Sequence, residues 1–309
     1  MKALSKISIP FICLLLSCID EYTVSLPFDE PRLVVDALIS SVPGKSEIII
    51  GWTSPAGEEC MYNNGYSNYS ISCQADASKG PYLVTGKLVI KQDSNNPYEV
   101  AIQMAERKRF IIINPDIVGS PGDKFSMELK ITYGNKTREY YSETVMLQTP
   151  VIESMSYVIR KGDIGKNDNF VPLVSFNEPQ DQKNYYLFQL CRSYKNNPNL
   201  DCGSNRVWAY SIMRDDFLPA VVNGLSIDDG ATVVKYADFY PDVYSDTGVQ
   251  VKMYSINCET YDFYKALLDQ FNNDGGAFSP TPATPSGNIN GGAIGLFRAV
   301  HESAREVYL

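Results

Sequence analysis

Short runs in which apolar and polar residues alternate recur through the first half of the chain, at 32–41, 46–52, 82–92, 99–104, 109–113, 124–133 and 139–148. They are rich in Val, Ile, Tyr and Thr and are separated by Gly, Pro, Asn and Asp, the punctuation of strands and turns. A period of two buries one face of a sheet and wets the other. Seven such runs in close succession predict an antiparallel sandwich of immunoglobulin or prealbumin type, with Gly134-Asn135 as a hairpin turn.

Thr149-Pro150 marks a boundary, because the pattern restarts after it at 152–160, 171–176, 185–192, 206–213, 232–236 and 249–257. The period then changes. Over 259–272, Tyr261, Tyr264, Leu267, Leu268 and Phe271 recur at helical spacing, which predicts one amphipathic helix packed on the core. Residues 275–295 are rich in Gly, Pro, Asn and Thr and are expected to be irregular, yet Phe278 and Ile289 interrupt them. A segment of that kind is expected to lie across a domain surface. The whole reads as a mainly β chain of two antiparallel β-sandwich-like domains, 31–149 and 150–309, with one C-terminal helix and an irregular Gly/Pro-rich tail.

The first residues follow another logic. Lys2 and Lys6 precede an apolar run from Ile7 to Leu16 that only Ser8 and Pro10 interrupt, and Ser17-Cys18 follows. A basic start, a short apolar core and a small residue before the cut make a secretory signal. The run is shorter than the roughly 20 residues a spanning helix needs, and Asp20-Glu21 closes it. Leu15-Leu16-Ser17-Cys18 resembles a lipobox, in which the thiol of the Cys takes a diacylglycerol and cleavage falls just before it. Residues 1–17 are then the signal peptide, Cys18 the lipidation site, and 18–30 a tether. Multiple acyl chains on Cys18 would hold the protein in a bilayer. Ile19 in place of Asp lacks the usual inner-membrane retention signal, and Ile19-Asp20-Glu21 looks like the acidic tract of surface-exposed lipoproteins.

Charge and cysteine usage narrow the partners. Loss of 1–17 removes Lys2 and Lys6 and no acid, moving the formal charge from −9 to −11. An acidic chain without a basic run has no footprint for phosphate backbones, so no nucleic-acid partner is expected. In an oxidising compartment Cys60 with Cys73, and Cys191 with Cys202, are the natural disulfides by spacing. Each closes a loop worth about 3 kcal/mol in the chain-entropy model. Cys258 is left over, in an apolar strand-like run that suits a buried, inert thiol.

Catalytic chemistry is hard to find. His301 is the single histidine and no Gly-x-Ser-x-Gly elbow exists, so a Ser-His-Asp site has no support. Asp215-Asp216 would point to opposite faces of a strand and reads as a turn or cap. No Cys-x-x-Cys occurs, which argues against zinc. Asp238, Asp242 and Asp246 share an aromatic loop but lack the EF-hand spacing and read as solvated acids. No catalytic residue, metal or cofactor is predicted. Binding has a better claim: Tyr62, Tyr66 and Tyr69 stand among Asn, Ser and Gly between Cys60 and Cys73. That is the vocabulary of recognition loops, rigid amphipathic area plus adaptable hydrogen bonding. A disulfide at the base would lower the ordering cost of binding a glycan, a peptide or another small ligand.

Several landmarks in order resemble an uncharacterised family of Bacteroidota outer-membrane lipoproteins encoded near TonB-dependent receptors. After the lipobox and acidic tract come Pro31-Arg32-Leu33-Val34-Val35-Asp36-Ala37-Leu38-Ile39, then Asp215-Asp216-Phe217 with Asn223-Gly224. Glu259-Thr260-Tyr261-Asp262-Phe263-Tyr264 and Ser286-Gly287-Asn288-Ile289-Asn290-Gly291-Gly292-Ala293-Ile294-Gly295-Leu296-Phe297 complete the series. The insertion bounded by Cys60 and Cys73 departs from that pattern. The resemblance implies an outer-membrane, lipid-anchored place facing the cell exterior and a TonB-dependent transporter as partner. It implies no chemistry. The expected role is a non-catalytic accessory binding or assembly subunit of an uptake complex, and the alternative is a surface adhesin or structural module that binds host or matrix ligands.

Overall fold

The computed structural model describes residues 32–53, 60–63, 70–73, 84–93, 95–104, 110–133, 135–160, 169–194, 207–216, 218–227, 231–235, 247–272 and 285–308. The chain is mainly β, with several sheets forming sandwich-like layers and, among the described residues, one helix.

The first sandwich follows from the alternation. In β1 (Leu33–Ser40) every second residue, Leu33, Val35, Ala37 and Ile39, is buried. β1 pairs antiparallel with β2 (Glu47–Trp52), and β2 with β7 (Phe110–Ile113). Opposite lies a sheet in the order β6-β5-β8-β9, built from β5 (Val84–Gln92), β6 (Tyr98–Met104), β8 (Lys124–Tyr133) and β9 (Lys136–Val145). Leu88, Ile90, Met127 and Leu129 come from it to the same core as Val35 and Ile39. Its outer face is wet and charged: Lys87 pairs with Glu99 at 2.6 Å, Lys130 with Glu139 at 2.8 Å, and Lys91 with Glu128. Exposed pairs of this kind contribute no more than about 1 kcal/mol each; their effect is to keep that face in water. Tyr133 stands opposite Lys136, which leaves the two-residue connection expected at 134–135.

The second sandwich sets β10 (Ile152–Arg160), β11 (Asn169–Asn177) and β14 (Val221–Ser226) against a larger sheet. That sheet has the order β15-β13-β12-β16-β18, with β12 at Tyr185–Tyr194, β13 at Val207–Arg214, β15 at Ala231–Lys235, β16 at Thr247–Ile256 and β18 at Glu302–Tyr308. Phe176, Tyr186, Phe188, Val251 and Met253 fill the space between the layers. The Phe176 and Tyr186 rings meet edge to face at 5.7 Å.

Helix α1 (Cys258–Asn272) covers the other face of the larger sheet. Tyr261, Tyr264, Leu267 and Leu268 pack on Leu187, Ile212, Tyr254 and Ile256, the stripe expected from the spacing. Asn257 caps it, its Oδ1 accepting from the Thr260 amide at 2.8 Å.

Three expectations need correction. The irregular stretch does not run to the chain end: from Ile294 on, β17 (Ile294–Val300) and β18 are strands, and β17 returns to pair in parallel with β1 of the first sandwich. Phe297 and Ala299 therefore belong to the first core, while Val300 joins Leu38 in the helix-side cluster. Being covered on both faces, β17 shows no alternation, which is why a period of two does not reveal it. Cys258 is not buried in a strand: it opens α1 and is exposed. Strands also occur where none was expected, at β14 and at β3 (Cys60–Asn63) with β4 (Ser70–Cys73). As expected, the segment before β17 packs against a sheet: Asn290 N donates to the Tyr141 carbonyl at 2.8 Å, Ser142 Oγ to the Asn288 carbonyl at 2.7 Å, and Ile289 is buried.

Candidate functional site

The proposed recognition segment is organised by its backbone. β3 and β4 form an antiparallel ladder with Cys60 opposite Cys73, Met61 opposite Ser72, Tyr62 opposite Ile71 and Asn63 opposite Ser70. Tyr62 is thus a strand residue, not part of a strand-free loop; four-residue strands are too short to announce themselves by periodicity. Tyr66 and Tyr69 lie outside the described residues, as do Cys18 and Cys202. Directly opposed residues of an antiparallel pair have Cα atoms about 4.5 or 5.5 Å apart, inside the span a disulfide bridges. The hairpin belongs to a unit distinct from the one that holds the sandwiches.

Cys191 sits buried on β12 and is disulfide-bonded. Cys258 is a free thiol, with its Sγ 3.6 Å from Asp262 Oδ2. The Tyr185 hydroxyl is pushed up to about 12, first by its hydrogen bond with Cys258 and then by burial.

The acids and the histidine set aside above have structural partners. Asp215 Oδ2 accepts from the Asn184 amide at 2.6 Å, and Asp216 pairs with Arg214 and, at 3.3 Å, with Lys183. Both tie the segment before β12 to the segment after β13. His301 is half-buried: its Nδ1 accepts from the Thr149 amide at 3.3 Å, and its carbonyl accepts from Thr149 Oγ1 at 2.6 Å. Burial lowers its pKa, against a smaller opposite pull from Glu302. Asp238, Asp242 and Asp246 lie outside the described residues. Among the described residues no three His, Cys, Asp or Glu side chains gather as a metal site.

Two buried polar groups escape a sequence reading. Glu178 receives the Tyr186 hydroxyl at 2.6 Å and Asn184 Nδ2 at 2.8 Å. Burial raises its pKa despite these donors, and Asp215 adds to the rise. On the larger sheet, Lys252 lies 3.2 Å from Glu302, beside Tyr254 and Gln189. A lysine inside the apolar run Val249-Gln250-Val251-Lys252-Met253-Tyr254 was the available signal, since a lysine is fully buried only when paired.

Comparison with known proteins adds a family but no chemistry. No curated protein matches the chain. Among solved structures, the crystal structure of chicken CNTN1 FN1-FN3 domains aligns at 8% identity with a TM-score of 0.25, over 75% of this chain and 63% of that one. A likeness that distant carries no functional argument. A family model described as a domain of unknown function, DUF4249, matches residues 19–306, nearly everything after Cys18, and the chain belongs to that family.

Proposed function

We propose that this chain is an outer-membrane lipoprotein, anchored through acylated Cys18 and facing the cell exterior. It serves as a non-catalytic accessory binding or assembly subunit of a TonB-dependent uptake complex. The observation that carries the binding role is the hairpin: β3 and β4 align Cys60 with Cys73 at the base of the Tyr62, Tyr66 and Tyr69 segment. A Cys60–Cys73 disulfide there, with Cys191–Cys202 as the second bridge, would stiffen the presenting ladder and lower the cost of ordering it on a partner. The lipobox supports the anchor, and the resemblance supports the transporter.

Two variants test this reading. Cys18→Ala should lose acylation and leave the envelope fraction; retention in the detergent phase on partitioning would refute the anchor. Replacing Tyr62, Tyr66 and Tyr69 together by Ala should leave thermal stability nearly unchanged, whereas a core aromatic costs about 3–5 kcal/mol when removed. The triple variant should stay anchored yet fail to co-purify a large β-barrel protein in mild detergent, because buried tyrosines dominate many interfaces. Undiminished co-purification would exclude the hairpin as the contact. A wild-type monomer that binds immobilised matrix or glycan would favour the adhesin reading.

A further inference from the structure

Adjacent strands β12, β16 and β18 bring four polar side chains onto one face of the larger sheet. Gln189 stands opposite Lys252, and Tyr254 stands opposite both Leu187 and Glu302. Cross-strand partners point to the same side, and residues two apart share a face. All four therefore lie on the face where Leu187, Tyr254 and Ile256 pack toward α1. Lys252 Nζ is 3.2 Å from Glu302 Oε2, with the two side chains only 8% and 15% exposed. The Tyr254 hydroxyl is 3.0 Å from Glu302 Oε2 and 3.0 Å from Gln189 Oε1.

This is a nucleophile, a proton carrier, a carbonyl-polarising donor and an electrophile, in that order. An ammonium and a carboxylate buried together each lose hydration. Attack needs Lys252 as the free amine, and Glu302 Oε2, 3.2 Å away, is the group placed to take its proton. Protonated Glu302 then donates to the Tyr254 oxygen, which turns the phenolic proton toward the Gln189 carbonyl, where negative charge would develop.

We propose that Lys252 and Gln189 join in an intramolecular isopeptide bond, with Glu302 carrying the proton and Tyr254 polarising the carbonyl. Lys252 Nζ attacks Gln189 Cδ, and the tetrahedral oxygen is held by the Tyr254 hydroxyl. A proton from Nζ passes through the Glu302 carboxyl to the amide nitrogen of Gln189. The Cδ–N bond of the side-chain amide breaks, ammonia leaves, and Nζ remains bonded to Cδ. No oxidant, reductant or other co-reactant is required. Pairing in the sheet holds amine and amide side by side, so the step is unimolecular. It happens once per chain, so it sits alongside a non-catalytic role and does not depend on one. The product ties β12 to β16 across the segment that holds β13, β14 and β15, and an exported protein gains resistance to unfolding and proteolysis from it.

The full chain, purified, reduced and alkylated, should yield on digestion a branched peptide that joins the Lys252 and Gln189 segments and lacks one ammonia. Lys252→Arg and Gln189→Ala should each abolish that species. Tyr254→Phe should slow its appearance about 100-fold in freshly folded protein, and Glu302→Gln should block it in a chain whose circular dichroism is unchanged. Recovery of both wild-type segments unlinked, with Gln189 as its free amide, would overturn the proposal whatever the variants do. So would a link from Lys252 to Glu302 with loss of water.

Discussion

Gly295 of β17 stands opposite Val35 of β1, and a β-carbon placed on it would lie 1.9 Å from the Val35 carbonyl oxygen. Its φ is +123°, a conformation that residues with a side chain rarely adopt. The last part of the chain thus closes the first sandwich through a residue that admits no side chain. Gly295→Ala should cost more than about 2 kcal/mol, strain and backbone clash together. Urea unfolding checks this: a midpoint within error of wild type would mean that β17 does not pair as described.

Glu178 makes stability depend on pH. Burial raises its folded-state pKa above the value in the unfolded chain. The unfolded state then gives up its proton more readily, so the stability tied to this group is fully present below the unfolded pKa and is lost as pH rises through the folded pKa. Glu178→Gln keeps an acceptor for Asn184 and removes the titration. Relative to wild type, the variant should gain stability as pH rises above the ordinary carboxylate value of about 4. Thermal melts from that value upward decide it, and a wild-type advantage that grows with pH would refute the assignment.

Cys258, exposed at the start of α1, should be labelled by a thiol reagent in the native protein without unfolding. Unfolding without reductant should add no further thiol if Cys60, Cys73, Cys191 and Cys202 are paired. Cys258→Ser should change stability by less than about 0.5 kcal/mol. Protection of Cys258 until unfolding would restore the buried reading drawn from its apolar neighbours.

Periodicity reveals an element when one side of it is wet. β5 and β8 alternate because each lines a core on one face and a polar surface on the other, and α1 shows its stripe because only that stripe meets the sheet. Where both faces are covered, as in β17, or where the strands are short, as in β3 and β4, the pattern carries nothing to read. Cys258 misled for a related reason: its neighbours resemble a strand up to Ile256, and Asn257 then caps a helix.

The sequence by itself determined the β class, most of the strands, the helix with its buried stripe, and the signal-like start, since each is written in residues close together in the chain. Only the tertiary structure decided that the last strands complete sheets begun far earlier. Only it set Gln189 beside Lys252, Lys252 beside Glu302, and Cys60 opposite Cys73. Those relationships depend on register between distant strands, which local hydrophobic spacing does not encode because many pairings bury the same alternating face equally well.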